Sequence, residues 1–80
     1  MFAQNFTVSG FVEDSKSGEK LIGANIYDQS TYRGTTSNVY GFYSLTLPKG
    51  EYTLISSFVG YEPLLASVSL SSDTTINLSM

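Results

Sequence analysis

Apolar and polar residues alternate along several short stretches of the chain, which is the pattern of strands with one buried face. In the first stretch, Phe6, Val8 and Val12 fall on one side of an extended segment, whereas Phe11 falls on the other. This alternation predicts a first strand over residues 6–14.

Six further segments are rich in the aromatic and β-branched residues that favour strands. They cover residues 21–29, 34–36, 42–47, 51–58, 65–70 and 75–78, and the strand at 51–58 is expected to be central. Either face of residues 42–47 could be buried, because Phe42 lies on one face and Leu45 on the other. The predicted core is Val8, Val12, Ala24, Ile26, Leu45, Leu47, Tyr52, Leu54, Phe58, Val68, Leu70, Ile76 and Leu78.

Turn-forming residues separate these segments. Residues 14–18 gather Asp, Ser and Gly and predict a reversal of the chain. Residues 38–41 give the clearest turn, because Asn38 and Gly41 are of the two types that adopt left-handed backbone conformations most readily, and we expect a hairpin there. Further turns are predicted at 48–50, 60–63 and 71–73.

The predicted elements define an all-β fold. Strands joined by short turns favour an antiparallel β-sandwich of about seven strands, since parallel pairing requires long crossover connections. A chain of 80 residues accommodates one small domain with a limited core.

The composition argues against catalysis and metal binding. The chain has no Cys and no His, so it has no thiolate zinc site, no cysteine nucleophile and no histidine general base. Glu13 and Asp14 are adjacent and point to opposite faces of a strand, so they do not form an acid–base pair. No acidic spacing resembles a calcium loop. We therefore predict that the protein is not an enzyme and holds no cofactor or metal.

The charge distribution argues against a nucleic-acid partner. Four basic residues stand against seven acidic ones, which gives a net charge of −3, and the basic residues are scattered. Phosphate recognition requires clustered positive charge. The chain also has no apolar run near the ~20 residues that span a bilayer, so we expect no direct membrane insertion of this domain.

An ordered set of five sequence blocks resembles a known family. The blocks are VSGFVED at 8–14, GEKLIGANI at 18–26, GTTSNVYGFYSL at 34–45, LPKGEYTL at 47–54 and SFVGY at 57–61. Over residues 6–80 they resemble the carboxypeptidase regulatory-like domain, which implies a Greek-key β-sandwich of the transthyretin-like or prealbumin-like type. Many relatives carry Asp where Ser37 or Asn38 stands here, which leaves the turn geometry open.

The particular form of these blocks looks like the N-terminal extension of TonB-dependent outer-membrane nutrient receptors. The resemblance implies a non-catalytic accessory or interaction module on the periplasmic side of the outer membrane. Its partners would be the plug and barrel of the parent receptor and TonB-type periplasmic proteins. It also favours a signal-peptide junction at Ala3 and Gln4, with residues 1–5 as a leader and residues 6–80 as the domain.

The family motifs have a structural interpretation in this chain. Gly10 lies between apolar strand positions where a side chain would meet the facing sheet, Gly41 and Gly50 supply turn conformations, and Tyr52 offers a ring to the core with a hydroxyl that needs a partner. The small residue Gly23 would allow close approach of a neighbour. The full set of predicted turn and core motif residues is Gly10, Gly23, Asn38, Gly41, Pro48, Gly50, Tyr52, Gly60 and Tyr61.

Two alternative functions remain open at this point. The chain could be a carbohydrate-binding or adhesive module of a secreted or surface protein, with an aromatic platform, or a spacer beside a larger unit. Aromatic residues on strands are more often cross-strand pairs or core than ligand platforms. The candidate platform residues are Tyr27, Tyr32, Tyr40, Tyr43 and Tyr61.

Overall fold

The computed structural model describes residues 4–80, which form two β-sheets packed face to face. The strands are β1 (Asn5–Glu13), β2 (Asn25–Asp28), β3 (Gly34–Thr36), β4 (Phe42–Pro48), β5 (Gly50–Ser57), β6 (Leu64–Leu70), β7 (Thr74–Thr75) and β8 (Leu78–Ser79). The all-β sandwich predicted from the sequence is confirmed. The last predicted strand is instead two segments of two residues each.

The first sheet is built around β1, the longest strand. On one side β1 pairs antiparallel with β4, from Asn5 opposite Pro48 to Phe11 opposite Phe42. On its other side it pairs parallel with β7 and then with β8. Parallel pairing was not expected for so short a chain. It is possible here because the crossover between β1 and β7 consists of the intervening strands themselves, most of which form the second sheet.

Side chains complete the parallel side of β1 where backbone partners are missing. Asp73 Oδ1 accepts a hydrogen bond of 2.9 Å from the N–H of Thr7. Asn77 Oδ1 accepts one of 3.0 Å from the N–H of Phe11. The last segment of the chain therefore covers the edge of β1 although only four of its residues are in strands.

The second sheet is antiparallel throughout, in the order β3-β2-β5-β6. In this sheet β5 is an internal strand, with β2 on one side and β6 on the other, as expected of the segment at 51–58. The turn at 38–41 does not close a hairpin: β3 pairs with β2 and β4 pairs with β1, so this turn carries the chain from one sheet to the other. The chain reversal at 14–18 is present, and Glu13 bridges Lys20 across it.

The core lies between the sheets. Ten of the predicted core residues are buried, whereas Tyr52, Phe58 and Ile76 are only partly buried and pack against its rim. Two buried hydrophobic residues were not predicted. Leu21 precedes β2, and Tyr43 occupies the same face of β4 as Leu45 and Leu47, which settles which face of that strand is buried. Phe42 lies on the outer face and packs edge-on against Phe11, with 5.3 Å between ring centroids.

The predicted leader and domain boundary fall at the start of β1. Asn5 is already the first residue of the strand, and the carbonyl of Gln4 accepts a hydrogen bond from the N–H of Lys49. Ala3, the first residue of the predicted signal-peptide junction, lies outside the described residues.

Candidate functional site

The turn at 38–41 is organised by the side chain of Asn38. Its Oδ1 accepts hydrogen bonds from the N–H groups of Tyr40 and Phe42, at 2.9 and 3.0 Å. Asn38 itself does not adopt a left-handed conformation, contrary to expectation, because its role is that of a hydrogen-bond acceptor. Gly41 does, with φ of 76°, and a Cβ there would lie 3.0 Å from the carbonyl oxygen of Val12.

Gly10 permits a close approach within its own sheet rather than to the facing sheet. A Cβ built on Gly10 would lie 2.1 Å from the carbonyl oxygen of Ile76. Ile76 runs beside β1, and its N–H donates to the carbonyl of Ser9. The absence of a side chain at Gly10 is therefore what lets the chain between β7 and β8 dock against β1.

The other predicted motif residues are spread along the fold. Gly23 adopts a positive φ, but no neighbour lies within 4 Å of its Cβ position, so close approach is not its role; Gly60 is similar. Gly50 is the first residue of β5 and directly follows Lys49, the one residue between β4 and β5. The hydroxyl of Tyr52 donates to the carbonyl of Pro48 at 2.6 Å, which gives it the partner that the sequence required.

Tyr61 joins the loop before β6 to the end of β1. Its hydroxyl donates a hydrogen bond of 2.6 Å to Asp14 Oδ2, while Asp14 Oδ1 accepts from the N–H groups of Lys16 and Ser17. The Tyr61 hydroxyl and then these backbone N–H groups lower the pKa of Asp14 from 3.8 to about 2, against a smaller opposing effect of burial. The hydrogen bond to Asp14 in turn raises the pKa of Tyr61.

These residues do not form one site. Pro48 pairs with the first residue of β1, whereas Gly41 and Tyr61 contact the region around the other end of that strand. Their contacts hold turns and strand ends in place. No three acidic side chains are grouped as metal ligands within residues 4–80.

The five tyrosines of the predicted platform are also separated. Tyr43 is buried, its hydroxyl donates to the carbonyl of Ile76 at 2.7 Å, and burial raises its pKa to about 12. Tyr61 packs on Phe58, with 5.7 Å between ring centroids. Only Tyr27 and Tyr32 are stacked on each other, with centroids 6.1 Å apart and ring planes at 28°.

The stacked pair borders an open cleft of about 600 Å³ on the second sheet. Tyr32 is 76% exposed and has a φ of 61°, the only positive φ outside glycine in the described part of the chain. The other residues that line the cleft are mostly polar or small: Asn25, Ile26, Gly34, Thr35, Thr36 and Ser57. An exposed ring held in an uncommon backbone conformation beside hydrogen-bonding side chains is a candidate ligand surface.

The loop that holds Tyr32 is built on Asp28, a residue that the sequence analysis did not single out. Its buried Oδ2 accepts hydrogen bonds from Ser30 Oγ, from Thr31 N–H and from Thr31 Oγ1. Burial alone would raise the pKa of Asp28, but the hydrogen bonds from Thr31 and Ser30 outweigh it and lower the pKa overall. The Asp-x-Ser-Thr order was the available signal, since Asp bonds local backbone and hydroxyl groups in turns.

A family model described as CarboxypepD_reg-like domain matches residues 8–80. The chain belongs to this family. Two curated relatives of this CarboxypepD_reg-like domain are the TonB-dependent receptor SusC of Bacteroides thetaiotaomicron, 40% identical over 62 residues, and the TonB-dependent receptor P3 of Formosa agariphila, 37% identical over 59 residues. The matches cover 78% and 74% of the chain but 6% of each receptor.

A solved structure shows the same fold. A DUF3823 family protein from Parabacteroides merdae superposes with a TM-score of 0.64 at 21% identity, covering 98% of the CarboxypepD_reg-like domain and 46% of that protein. At this identity the likeness concerns the sandwich alone. Residues 4–80 contain no helix long and apolar enough to cross a membrane.

Proposed function

We propose that this CarboxypepD_reg-like domain is a non-catalytic accessory module of a TonB-dependent outer-membrane receptor and acts through protein contacts on the periplasmic side. The observation that carries the proposal is the 40% identity to a part of SusC that amounts to 6% of that receptor. The segment has a hydrophobic core of its own between two sheets, which supports an appended domain rather than a part of the transport machinery. Its partners are the plug and barrel of the parent receptor and TonB-type periplasmic proteins.

The contacts of the titratable side chains within residues 4–80 support a non-catalytic role. Among the acids and tyrosines with altered pKa, Asp14 and Tyr61 bond each other, Asp28 holds a loop, and Tyr43 bonds a core carbonyl. Each altered pKa is thus explained by a contact that stabilises the fold, and none requires a catalytic role.

The location can be tested with a single cysteine placed in this domain, which has none of its own, in a parent receptor whose other cysteines have been replaced. Val59 is 89% exposed, so Val59→Cys in the parent receptor should react with a membrane-impermeant maleimide after the outer membrane is permeabilised, but not in intact cells. Ser56→Cys is the matched control: Ser56 is 1% exposed, so it should react only after denaturation. Labelling of Val59→Cys in intact cells would refute the periplasmic location.

The accessory role is tested by deleting the domain from the parent receptor. We expect the deleted receptor to reach the outer membrane in normal amount and to bind its nutrient, but to import it more slowly. Unchanged import would leave no role in transport and would contradict the proposal. Loss of nutrient binding would also contradict it, because the domain would then be part of the transport path.

A second candidate function is carbohydrate binding, favoured by the Tyr27 and Tyr32 stack beside the polar cleft. Sugar rings present an apolar face to aromatic rings and hydroxyls to polar side chains such as Asn25. An amide-shift titration with mixed polysaccharide hydrolysates should then give saturable shifts confined to the cleft. Tyr32→Ala should abolish them, while Tyr40→Ala, which removes another exposed ring, should not.

A further inference from the structure

The two sheets of this domain have unequal edges. β3, β7 and β8 are only two or three residues long, which limits what they can offer to another chain. β4 and β6 are edge strands of seven residues each. A long edge strand presents unpaired backbone N–H and C=O groups, and proteins usually protect such an edge with Pro, charge or a covering loop.

The register fixes which backbone groups of β6 point away from the sheet. The N–H of Gln29 donates to the carbonyl of Thr53, which continues the pairing of β2 with β5, so the odd-numbered residues of β5 face β2. Backbone groups alternate sides along an antiparallel strand, so the even-numbered residues of β5 face β6. Their partners in β6 are Leu64, Ala66, Val68 and Leu70.

It follows that Leu65, Ser67 and Ser69 direct their backbone groups outward. None of these N–H or C=O groups takes part in the turn and loop hydrogen bonds of residues 4–80. Three residues in alternation supply three donors and three acceptors, which is the set that pairs with an added strand. The strand LLASVSL contains no Pro and no charged residue to prevent such pairing.

The β4 edge is protected at both ends, which makes it a useful contrast. By the same alternation, Phe42, Ser44, Thr46 and Pro48 face outward. The backbone groups of Phe42 are already paired with Asn38. The N–H of Phe42 donates to Asn38 Oδ1, and the carbonyl of Phe42 accepts the N–H of Asn38. Pro48 has no N–H, and its carbonyl accepts the Tyr52 hydroxyl. Only Ser44 and Thr46 remain free, which is too short for stable pairing.

The side chains along β6 indicate the hydrophobicity and charge that a partner strand should have. Leu64 and Ala66 face the core but are only partly buried, and Leu65 on the outer face is 58% exposed. An added strand with apolar side chains at alternate positions would cover them. The strand is flanked by acidic residues: Glu62 precedes it, and Glu51 accepts a hydrogen bond from Ser69 at its other end. Lys49, the basic residue nearest in sequence to Glu51, lies outside the strands, in the turn before β5.

We propose that the β6 edge binds an extended peptide segment of a partner protein, uncharged and alternating in its middle and basic at both ends. The segment pairs antiparallel with Leu65, Ser67 and Ser69 and extends the second sheet by one strand. A second copy of this chain fits less well, because each copy has a net charge of −3 and their β6 strands would bring Glu62 near Asp73 of the other copy. The β6 edge would then be the surface through which the proposed accessory module contacts its partner. The proposal rests on the accessory function only for the identity of the cell compartment and the receptor, not for the binding itself.

The test is an amide-resolved titration of the domain with acetyl-Lys-Val-Thr-Val-Thr-Val-Lys-amide. In the free domain, the amide protons of Leu65, Ser67 and Ser69 should exchange quickly, while those of Ala66 and Val68 are protected by β5. Added peptide should shift and protect the first three. The same peptide with Glu at both ends should bind about tenfold more weakly or worse, because the acidic flanks then repel it.

Two variants locate the interaction on the edge. Ser67→Pro removes an outward N–H without removing a hydrogen bond to β5, so it should abolish binding and leave the fold intact. Ser67→Lys keeps every backbone group and should weaken binding through repulsion of the basic peptide ends, which covers the case in which the proline variant does not fold. Ser44→Pro and Ser44→Lys, the equivalent changes on β4, should leave binding unchanged.

Each remaining outcome contradicts the proposal. Peptide shifts at β4, the absence of shifts at β6, or equal binding of the acidic and basic peptides would overturn it. Dimerisation through β6 without peptide would show that the occupant is a second copy. If the peptide does not bind, the receptor-module proposal still stands, because import by the deleted receptor is measured separately. Conversely, peptide binding at β6 would stand even if deletion of the domain did not slow import.

Discussion

The hydroxyl of Tyr61 donates a hydrogen bond of 2.6 Å to Asp14 across 47 positions of sequence, and it closes the loop before β6 onto the end of β1. Asp14 directly follows β1 of the first sheet, and Tyr61 lies in the loop between β5 and β6 of the second. Because the charged form of Asp14 is the better acceptor, this contact couples the docking of the loop to the ionisation of one carboxyl group.

We expect this contact to make the domain sensitive to acid. The pKa of Asp14 is lowered from 3.8 to about 2 in the folded state, so its contribution to stability is complete above the unfolded value and is lost as the pH falls toward about 2. Urea unfolding followed by circular dichroism at several pH values between about 2 and 7 measures the loss.

Tyr61→Phe isolates the contribution of the Tyr61 hydroxyl. The variant should be less stable than the parent at neutral pH, and the difference should shrink as the pH falls and Asp14 is protonated in both proteins. Tyr40→Phe is the control, because Tyr40 is 71% exposed and its change should have the same small effect at every pH. A Tyr61→Phe deficit that is constant with pH would show that Asp14 is not the partner that matters.

Two buried serines should respond oppositely to the same substitution. Ser37 Oγ accepts the N–H of Ala24 at 2.9 Å and donates to the carbonyl of Leu21 at 2.6 Å. Ser37→Ala leaves both groups unpaired and should lower the free energy of unfolding by about 1–3 kcal/mol. Within residues 4–80, Ser56 Oγ is buried without a hydrogen-bond partner, so Ser56→Ala should be neutral or stabilising. Denaturant unfolding of both variants decides the matter, and a destabilised Ser56→Ala would mean that its hydroxyl has a partner.

Local patterns in the sequence were sufficient for most of the fold. Strict alternation placed Val8, Val12 and Ile26 inside, because the side-chain period of a strand is two and one face is buried. Tyr43 lies on the same face of β4 as the predicted core residues Leu45 and Leu47; its burial was missed because its hydroxyl needs a partner, and that partner, the carbonyl of Ile76, is supplied only by the tertiary fold. Leu21 was missed because the strand predicted at 21–29 begins only at Asn25, so the strand alternation does not apply to Leu21.

Long-range contacts could not be predicted from those patterns. The parallel docking of β7 and β8 depends on Asp73 and Asn77 replacing backbone acceptors for residues 66 positions away, and nothing in the local sequence indicates it. The same holds for the β6 edge, whose exposure follows from the pairing order of the whole sheet. The hydrogen bonds of Asp28 were more accessible to prediction, since their donors lie only two and three residues further along the chain.

The docking of the last segment predicts a high cost for a side chain at Gly10. In Gly10→Ala the new methyl group would lie 2.1 Å from the carbonyl oxygen of Ile76, so the chain between β7 and β8 must move away from β1. We expect a loss of about 2–3 kcal/mol in the free energy of unfolding and faster amide exchange at Ile76, whose N–H bonds Ser9. Ser44→Ala, at an exposed position of β4, should change stability by less than about 0.5 kcal/mol. Unchanged exchange at Ile76 would contradict the close approach.

Gly41 and Gly18 separate two costs of replacing a glycine. Both adopt nearly the same left-handed conformation, with φ of 76° and 75°, so Ala at either position carries a similar backbone strain of about 1 kcal/mol. At Gly18 nothing lies within 4 Å of the Cβ position, whereas at Gly41 the Cβ of Lys20 would be 2.8 Å away and the carbonyl oxygen of Val12 3.0 Å away. Gly41→Ala should therefore be more destabilising than Gly18→Ala, by about 1 kcal/mol or more, in the same unfolding assay. Equal losses would mean that the turn between the sheets yields freely, and that Gly41 is required for its φ alone.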